Sequence, residues 1–279
     1  MRILVTNDDG IDSLGLHILA RELRSLGDVV IAAPDAEYSG AGASLGALHL
    51  IQPEIHRMAI AGIDAAWAVT GPPALCVMFA RLGAFGAPFD IVVSGINPGA
   101  NVGRAVYHSG TVGAVLTARA GGISGVAVSQ AVADGGVEGQ GSDDVLGDQR
   151  WDTAAGAARV VAGALLNHPP DAAVAVNVNV PNVRRDQVRG WRYATVGRVP
   201  PRTVKEVALV PKQGHDGAFH VRMVWGDEVL LAPETDGGAV ARDQVSVSFL
   251  SPIHAEDRGH DALTNALDHH FTGVDGAAV

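Results

Sequence analysis

The sequence predicts a doubly wound α/β fold, a mostly parallel sheet with helices on both faces. Three observations predict it. Apolar runs of strand length alternate with helical spacings, the strand–helix–strand unit closes within about 30 residues, and the unit recurs through the first half of the chain. Ile3-Leu4-Val5 is a short buried strand, and from Ser13 to Leu26 the residues Leu16, Leu19, Leu23 and Leu26 fall at helical spacing before Gly27 closes the run. Val29 to Ala33 follows as a second strand, which demands a parallel pair and a right-handed crossover. Ala66-Trp67-Ala68-Val69 leads through Gly71-Pro72-Pro73 into a helix carrying Val77, Phe79, Ala80 and Leu82, and Asp90 to Val93 returns as a strand. That strand runs through a Gly-rich loop into a helix near Val112 to Ala120 and then into Val126-Ala127-Val128.

From Ala131 to Gln149 the composition turns to Gly, Asp, Gln and Glu, which predicts an exposed loop. Asp152 to Leu166 is an Ala-rich helix, and Ala173 to Val180 is a strand whose Asn177 and Asn179 line a polar face. Beyond Pro181 the rhythm stops. Arg189 to Val196, Ala218 to Val224 and Val245 to Phe249 are expected as short antiparallel strands, with a terminal helix from Ala262 to Phe271. The chain therefore divides into a core, 1–185, and a C-terminal extension, 186–279.

Composition narrows the function. A chain of 279 residues with 47% hydrophobic content can bury a large core. Its formal charge of -10, from 20 basic and 30 acidic residues, argues against the clustered Lys and Arg that a nucleic-acid polymer requires. Cys76 is the single cysteine, so neither a disulfide framework nor a cysteine zinc cluster can form, and its place on an apolar helix face makes it a core residue. No run reaches membrane-spanning length and no charged, apolar leader precedes the first strand. The expectation is a cytoplasmic protein without membrane contact.

In open α/β sheets, ligands bind outside the carboxyl ends of the strands, where loops and helix N-termini converge. Asp8 and Asp9 follow the first strand there, Ser39 lies in the loop after the second, and Asn97 follows Asp90 to Val93. Adjacent ionised carboxylates repel unless water or a cation separates them. Two carboxylates, an amide and a hydroxyl form an all-oxygen set suited to a hard cation such as Mg²⁺ or Mn²⁺. His108-Ser109-Gly110-Thr111 directly precedes a helix, and its backbone N–H groups and hydroxyls are expected to face outward as an anion cradle. Only Arg2 and Arg104 are basic residues near these loops, too few to neutralise a phosphate beside two aspartates, so a metal must supply the charge. Metal, cradle and carboxylate together point to phosphate-ester hydrolysis, with Asp8 or Asp9 orienting or deprotonating water. Asp-Asp-Gly, Ser39-Gly40 and Asn97-Pro98-Gly99 are each also ordinary turn sequences, and only their joint location at one sheet edge favours a site. His108 can donate a proton to a leaving oxygen or simply be solvated.

These residues carry a likeness to a known family. Asn7-Asp8-Asp9-Gly10, Ala33-Pro34-Asp35 with Ser39-Gly40, Ser94-Gly95-Ile96-Asn97 with Gly99, Asn101 and Gly103, and Ser109-Gly110-Thr111-Val112 resemble the SurE family of metal-dependent 5'/3'-nucleotidases. The likeness extends more thinly to Asn177-Asn179-Val180-Pro181 and Thr235-Asp236. It implies a Rossmann-like core, one divalent cation per subunit held by Asp8, Asp9, Ser39 and Asn97, and hydrolysis of nucleoside monophosphates. It places the phosphate ester near Asn7, Gly40, Gly95 and Asn101, together with His108, Ser109, Gly110 and Thr111. It also implies a C-terminal hairpin and helix that exchange between subunits to build a homodimer or homotetramer. The chain departs from the family pattern at Pro72 and Leu75, at Ala36 and Glu37, at Thr117, and at His108, where a tyrosine is usual and Tyr107 stands one place earlier. Those departures motivate a second reading, a phosphatase for a non-nucleotide small phosphate ester. A non-catalytic nucleotide sensor is a third.

Overall fold

The computed structural model describes residues 1–48, 50, 52–132, 147–199, 202–255 and 259–272. Its centre is a nine-stranded sheet built from β1 (Arg2–Thr6), β2 (Asp28–Pro34), β3 (Ile55–Ile60), β4 (Ile63–Val69), β5 (Ile91–Pro98), β6 (Gly125–Gln130), β7 (Ala175–Val180), β8 (Trp191–Tyr193) and β11 (Val245–Leu250). The spatial order is β3-β4-β2-β1-β5-β6-β7-β11-β8. Strands β4 to β7 in this order are mutually parallel, while β3 is antiparallel to β4 and β11 antiparallel to β7. The chain winds outward from β1 through β2 to β4, then crosses to β5 on the other side. A topological switch point therefore lies between β1 and β5.

Helices cover both faces. Helices α1 (Leu14–Leu23) and α4 (Trp151–Asn167) bury Leu16, Leu19, Ala155 and Ala158 against Ile3, Val5, Val93 and Val128 on one face. Helices α2 (Pro73–Arg81) and α3 (Gly110–Ala120) bury Leu75, Cys76, Ala114 and Ala118 against Leu4, Val30 and Val92 on the other. Successive strand residues point to opposite faces, so a strand covered on both sides must be apolar throughout, as β1 is. Pro73 stands at the first position of α2, where its missing N–H costs nothing.

Two strands were absent from the sequence expectation. Strand β3 is mostly exposed and, among the described residues, pairs only with β4 across the turn at Ala61-Gly62, so its Ile-His-Arg-Met sequence shows no buried run. Among the described residues strand β9 (Arg202–Pro211) pairs only with β10 (Phe219–Glu228), in a two-stranded hairpin separate from the main sheet. The segment at 191–193 is a strand, but it is parallel to β11, not antiparallel. Strands β8 and β11 are members of the main sheet, so the sheet runs across position 185 without a break. The acidic loop expected at Ala131–Gln149 lies for the most part outside the described residues, although Gln149 itself is buried. A short helix α5 (Asp236–Val240) and a terminal helix α6 (Asp261–Thr272) complete the described chain, and no described helix is long and apolar enough to cross a membrane.

Leu19 is fully buried where α1 meets the central strands. Leu19→Ala is expected to lower the unfolding free energy by about 3 kcal/mol, read as a lower urea midpoint with an unchanged slope.

Candidate active site at the switch point

Asp8 leaves the carboxyl end of β1 fully buried, and its surroundings come from two other segments of chain. Thr111 donates its hydroxyl to Asp8 Oδ1 at 2.5 Å. The Tyr38 N–H donates to the Asp8 carbonyl at 2.7 Å, which draws the loop carrying Ser39 against the end of β1. Gly110 opens α3 directly over the carboxylate: a Cβ there would stand 2.8 Å from both Cβ and Oδ2 of Asp8. Only a residue without a side chain lets the helix terminus come this close. Asn7 is buried beside it and donates to the Gly10 carbonyl at 3.0 Å, shaping the Asp-Asp-Gly turn. Asp9 is half-buried.

Asn97 reaches the same edge through a bulge in β5. Gly95 pairs with Val128 and Asn97 with Ser129, which leaves Ile96 as an extra residue. Without it, the alternation from Val93 would turn Asn97 toward α1 and α4; the bulge returns it to the face that carries α3. Gly95 is required there, with φ of 135° and the Val128 carbonyl oxygen 2.3 Å from where a Cβ would sit. Asn97 is buried and donates to the Gly99 carbonyl at 2.7 Å.

The expected outward cradle is corrected by this geometry. Ser109 and Thr111 are fully buried: the Ser109 hydroxyl caps α3 by accepting from Val112 N–H at 3.1 Å, and the Thr111 hydroxyl is given to Asp8. The Gly110 and Thr111 amides also lean toward the Asp8 carboxylate, so the anion held at the start of α3 is a side chain of the protein itself. Asn101 is likewise turned inward. Its side chain donates to Ser129 Oγ, and its carbonyl accepts from Asn177 at 2.9 Å and Asn179 at 3.2 Å. The polar face expected of those two asparagines thus braces the loop after β5. Ser39 and Gly40 are exposed, and Ser39 donates its hydroxyl to Glu37 at 2.9 Å. His108 is exposed at the end of the 3₁₀ turn Gly103–Tyr107, and its carbonyl accepts from Gly42 N–H. Arg2 is at the opposite end of β1, bonded to Asp90 and Phe85 and paired with Asp28. Leu75 is core, and the Thr117 hydroxyl bonds back to the Gly113 carbonyl.

Burial raises the Asp8 carboxyl above its ordinary value, against the lowering effect of Thr111 and the helix amides. Asp8 Oδ2 is buried with no hydrogen-bond partner, and no Lys, Arg or His pairs with Asp8 among the described residues. No group of three or more His, Cys, Asp and Glu converges among the described residues either. A buried carboxylate oxygen without a partner, beside the Thr111 hydroxyl and with no cysteine or histidine cluster among the described residues, fits a hard divalent cation and not a zinc site.

Two further residues shape this edge, Asp236, which entered only through a motif match, and Tyr38, to which no role was given: Asp236 accepts from Gly103 N–H, and Tyr38 fixes Asp8 through its backbone. A buried Asp directly after an N-capping Thr was the available signal for the first; a backbone contact leaves no signal.

An acid raised on folding stabilises the folded state while protonated, fully below its unfolded value of 3.8, and that contribution is lost as pH rises through the folded value. In chelator, wild-type stability is therefore expected to fall over that window, and Asp8→Asn to be more stable than wild type at neutral pH. Urea unfolding across pH checks both.

The family model described as survival protein SurE matches residues 3–202. A 5'-nucleotidase SurE from Xylella fastidiosa (strain M12) is 35% identical over 273 residues, covering 95% of this chain and 94% of the relative. The 5'/3'-nucleotidase SurE of Klebsiella pneumoniae (strain 342) is 32% identical over 283 residues, with 99% of each chain covered. Among solved structures, the SurE protein from Aquifex aeolicus aligns with a TM-score of 0.71 at 27% identity, over 97% of this chain and 99% of that one. Similarity of this extent, end to end and in both sequence and fold, makes the chain a member of the SurE family.

Proposed function

We propose that this chain is a divalent-cation-dependent phosphomonoesterase that converts nucleoside 5'- and 3'-monophosphates to nucleoside and inorganic phosphate. The observation that carries the reading is the buried Asp8 carboxylate at the switch point, with Oδ2 lacking a partner. The relatives' names, 5'-nucleotidase and 5'/3'-nucleotidase, supply the substrate class. Asp8, Asp9, Ser39 and Asn97 would hold one Mg²⁺ or Mn²⁺ per subunit. When bound, that ion supplies Lewis-acid polarisation of the phosphoryl group. Asp8 Oδ1 already accepts from Thr111 and the residue is closed to solvent, so we assign proton acceptance from the attacking water to the half-buried Asp9. His108, exposed beside the start of α3, is our donor for the leaving oxygen. A cytoplasmic setting, where a lone thiol stays reduced, suits Cys76.

Self-association belongs to the same reading. One face of the β9–β10 hairpin sets Phe219, Val221 and Met223 opposite Pro211, Leu209 and Val207, and most of these side chains are exposed. An isolated hairpin is marginal in water, so an apolar face of this kind calls for a partner. Helix α6 exposes Leu263, Leu267 and Phe271 in one stripe, while α4, β8 and β11 border an apolar groove of about 740 Å³. We assign these three surfaces to contacts between copies of this chain, in a homodimer or homotetramer.

Phosphate release from a panel of nucleoside monophosphates and non-nucleotide phosphomonoesters, with Mg²⁺, Mn²⁺ or excess chelator, tests the activity. Chelator is expected to abolish release, and Asp8→Asn and Asp9→Asn to lower kcat by about 10²- to 10⁴-fold. Turnover of sugar phosphates equal to that of nucleotides would transfer the reading to another ester, and no release with any ester and divalent ion would overturn it. Val221→Asp and Leu267→Asp are each expected to reduce the sedimenting species below that of the wild type.

A further inference from the structure

We propose that Asp236 is a positioning residue of the active site, fastening the Gly103 turn and through it the segment that orients Asp8; the inference rests on the phosphomonoesterase reading above. Asp236 lies beyond residues 3–202 that the family model matches, yet it is 1% exposed and meets the loop after β5 directly. Its Oδ2 accepts from Gly103 N–H at 2.9 Å. Its Oδ1 accepts from Gly197 N–H at 2.9 Å and from Gly237 N–H at 2.8 Å. The carboxylate is itself anchored, because Asp236 N–H donates to the Thr195 carbonyl and Thr235 caps α5 through Gly238 N–H.

The fastened point leads without interruption to the site. Gly103 has φ of 57° and starts the 3₁₀ turn Gly103–Tyr107; Ala105 N–H donates to Val102, and His108 and Ser109 both donate to Ala105. Ser109 then caps α3, whose Gly110 and Thr111 touch the Asp8 carboxylate. A side chain at 103 would meet the Gly197 carbonyl oxygen at 3.1 Å, so the turn is closed from the same strip of chain that shares the carboxylate. An apolar contact reinforces it: Gly237 brings the backbone of α5 to where a Cβ would lie 3.3 Å from Val102 Cγ2.

Only a carboxylate satisfies this arrangement, since N–H donors face both of its oxygens. Asparagine has the same shape but a single acceptor oxygen, so its amide nitrogen would face an N–H group on one side. Asp236→Asn therefore changes the fastening with little change in volume.

The full-length wild type, Asp236→Asn and Asp236→Ala are compared with Mn²⁺ present. Four quantities are measured: kcat and KM on a nucleoside monophosphate, melting temperature, and amide hydrogen exchange. The expected result is a fall in kcat per folded protein of about 10- to 100-fold. Exchange over residues 102–109 should be faster, α1 and α4 should stay protected, and Asn should lie between wild type and Ala. Activity lost only in proportion to unfolded protein, or unchanged exchange over 102–109 in Asp236→Asn, would overturn the proposal. If Asp236→Ala does not fold, Asp236→Asn carries the comparison alone. If the wild type releases no phosphate, the functional reading fails, while the exchange data still decide whether Asp236 holds the turn.

Discussion

The buried carboxylate of Asp8 is the constraint on which the rest of the site depends. Removing a carboxylate from water is costly unless hydrogen bonds or an opposite charge compensate. Here the compensation is partial: Thr111 donates to Oδ1, the first amides of α3 lean in, and Oδ2 is left without a partner. Everything nearby serves that closeness. Gly110 has no side chain to obstruct it, Tyr38 holds the Asp8 carbonyl, and β1 is the central strand at the switch of winding direction. The residual charge cost is what a divalent cation would relieve, which ties the proposed chemistry to a measurable property of the protein without the ion.

A second consequence concerns the anion. The start of α3 is already occupied by Asp8, so a phosphate ester would meet the cation and the loop side chains and not an open ring of helix amides. The loop after β5 is correspondingly held from outside the site: Asn177 and Asn179 bind the Asn101 carbonyl from β7, and Asp236 binds Gly103 from α5. Residues distant in sequence thus set the position of the candidate catalytic edge, and the C-terminal part of the chain contributes the two strands at one end of the sheet, β11 and β8, and a direct tie to that edge.

Much of this was legible beforehand, for identifiable reasons. The parallel core was readable because strands buried on both faces must be apolar throughout, as Ile3 to Val5 and Val29 to Ala33 are. Asp8, Asp9 and Asn97 stood out because they follow strands at the ligand-binding edge. Strands β3 and β9 were not readable, since exposed strands that pair on one edge only need no apolar run. Ser109 and Thr111 were expected to face outward, and Asn101 to lie by the phosphate ester, because neither local spacing nor a motif registers the partner that turns each of them inward.

The sequence by itself determined the order of the elements in the parallel core, the edge at which polar residues collect, and the oxygen character of the donor set, because each follows from periodicity and residue chemistry along a short stretch. Tertiary structure alone decided which hydroxyl meets Asp8, how the Gly95 bulge turns Asn97, and that Asp236 reaches Gly103. Those outcomes depend on contacts between segments up to 133 residues apart. Such contacts exist only once the sheet has packed, and no local pattern encodes them.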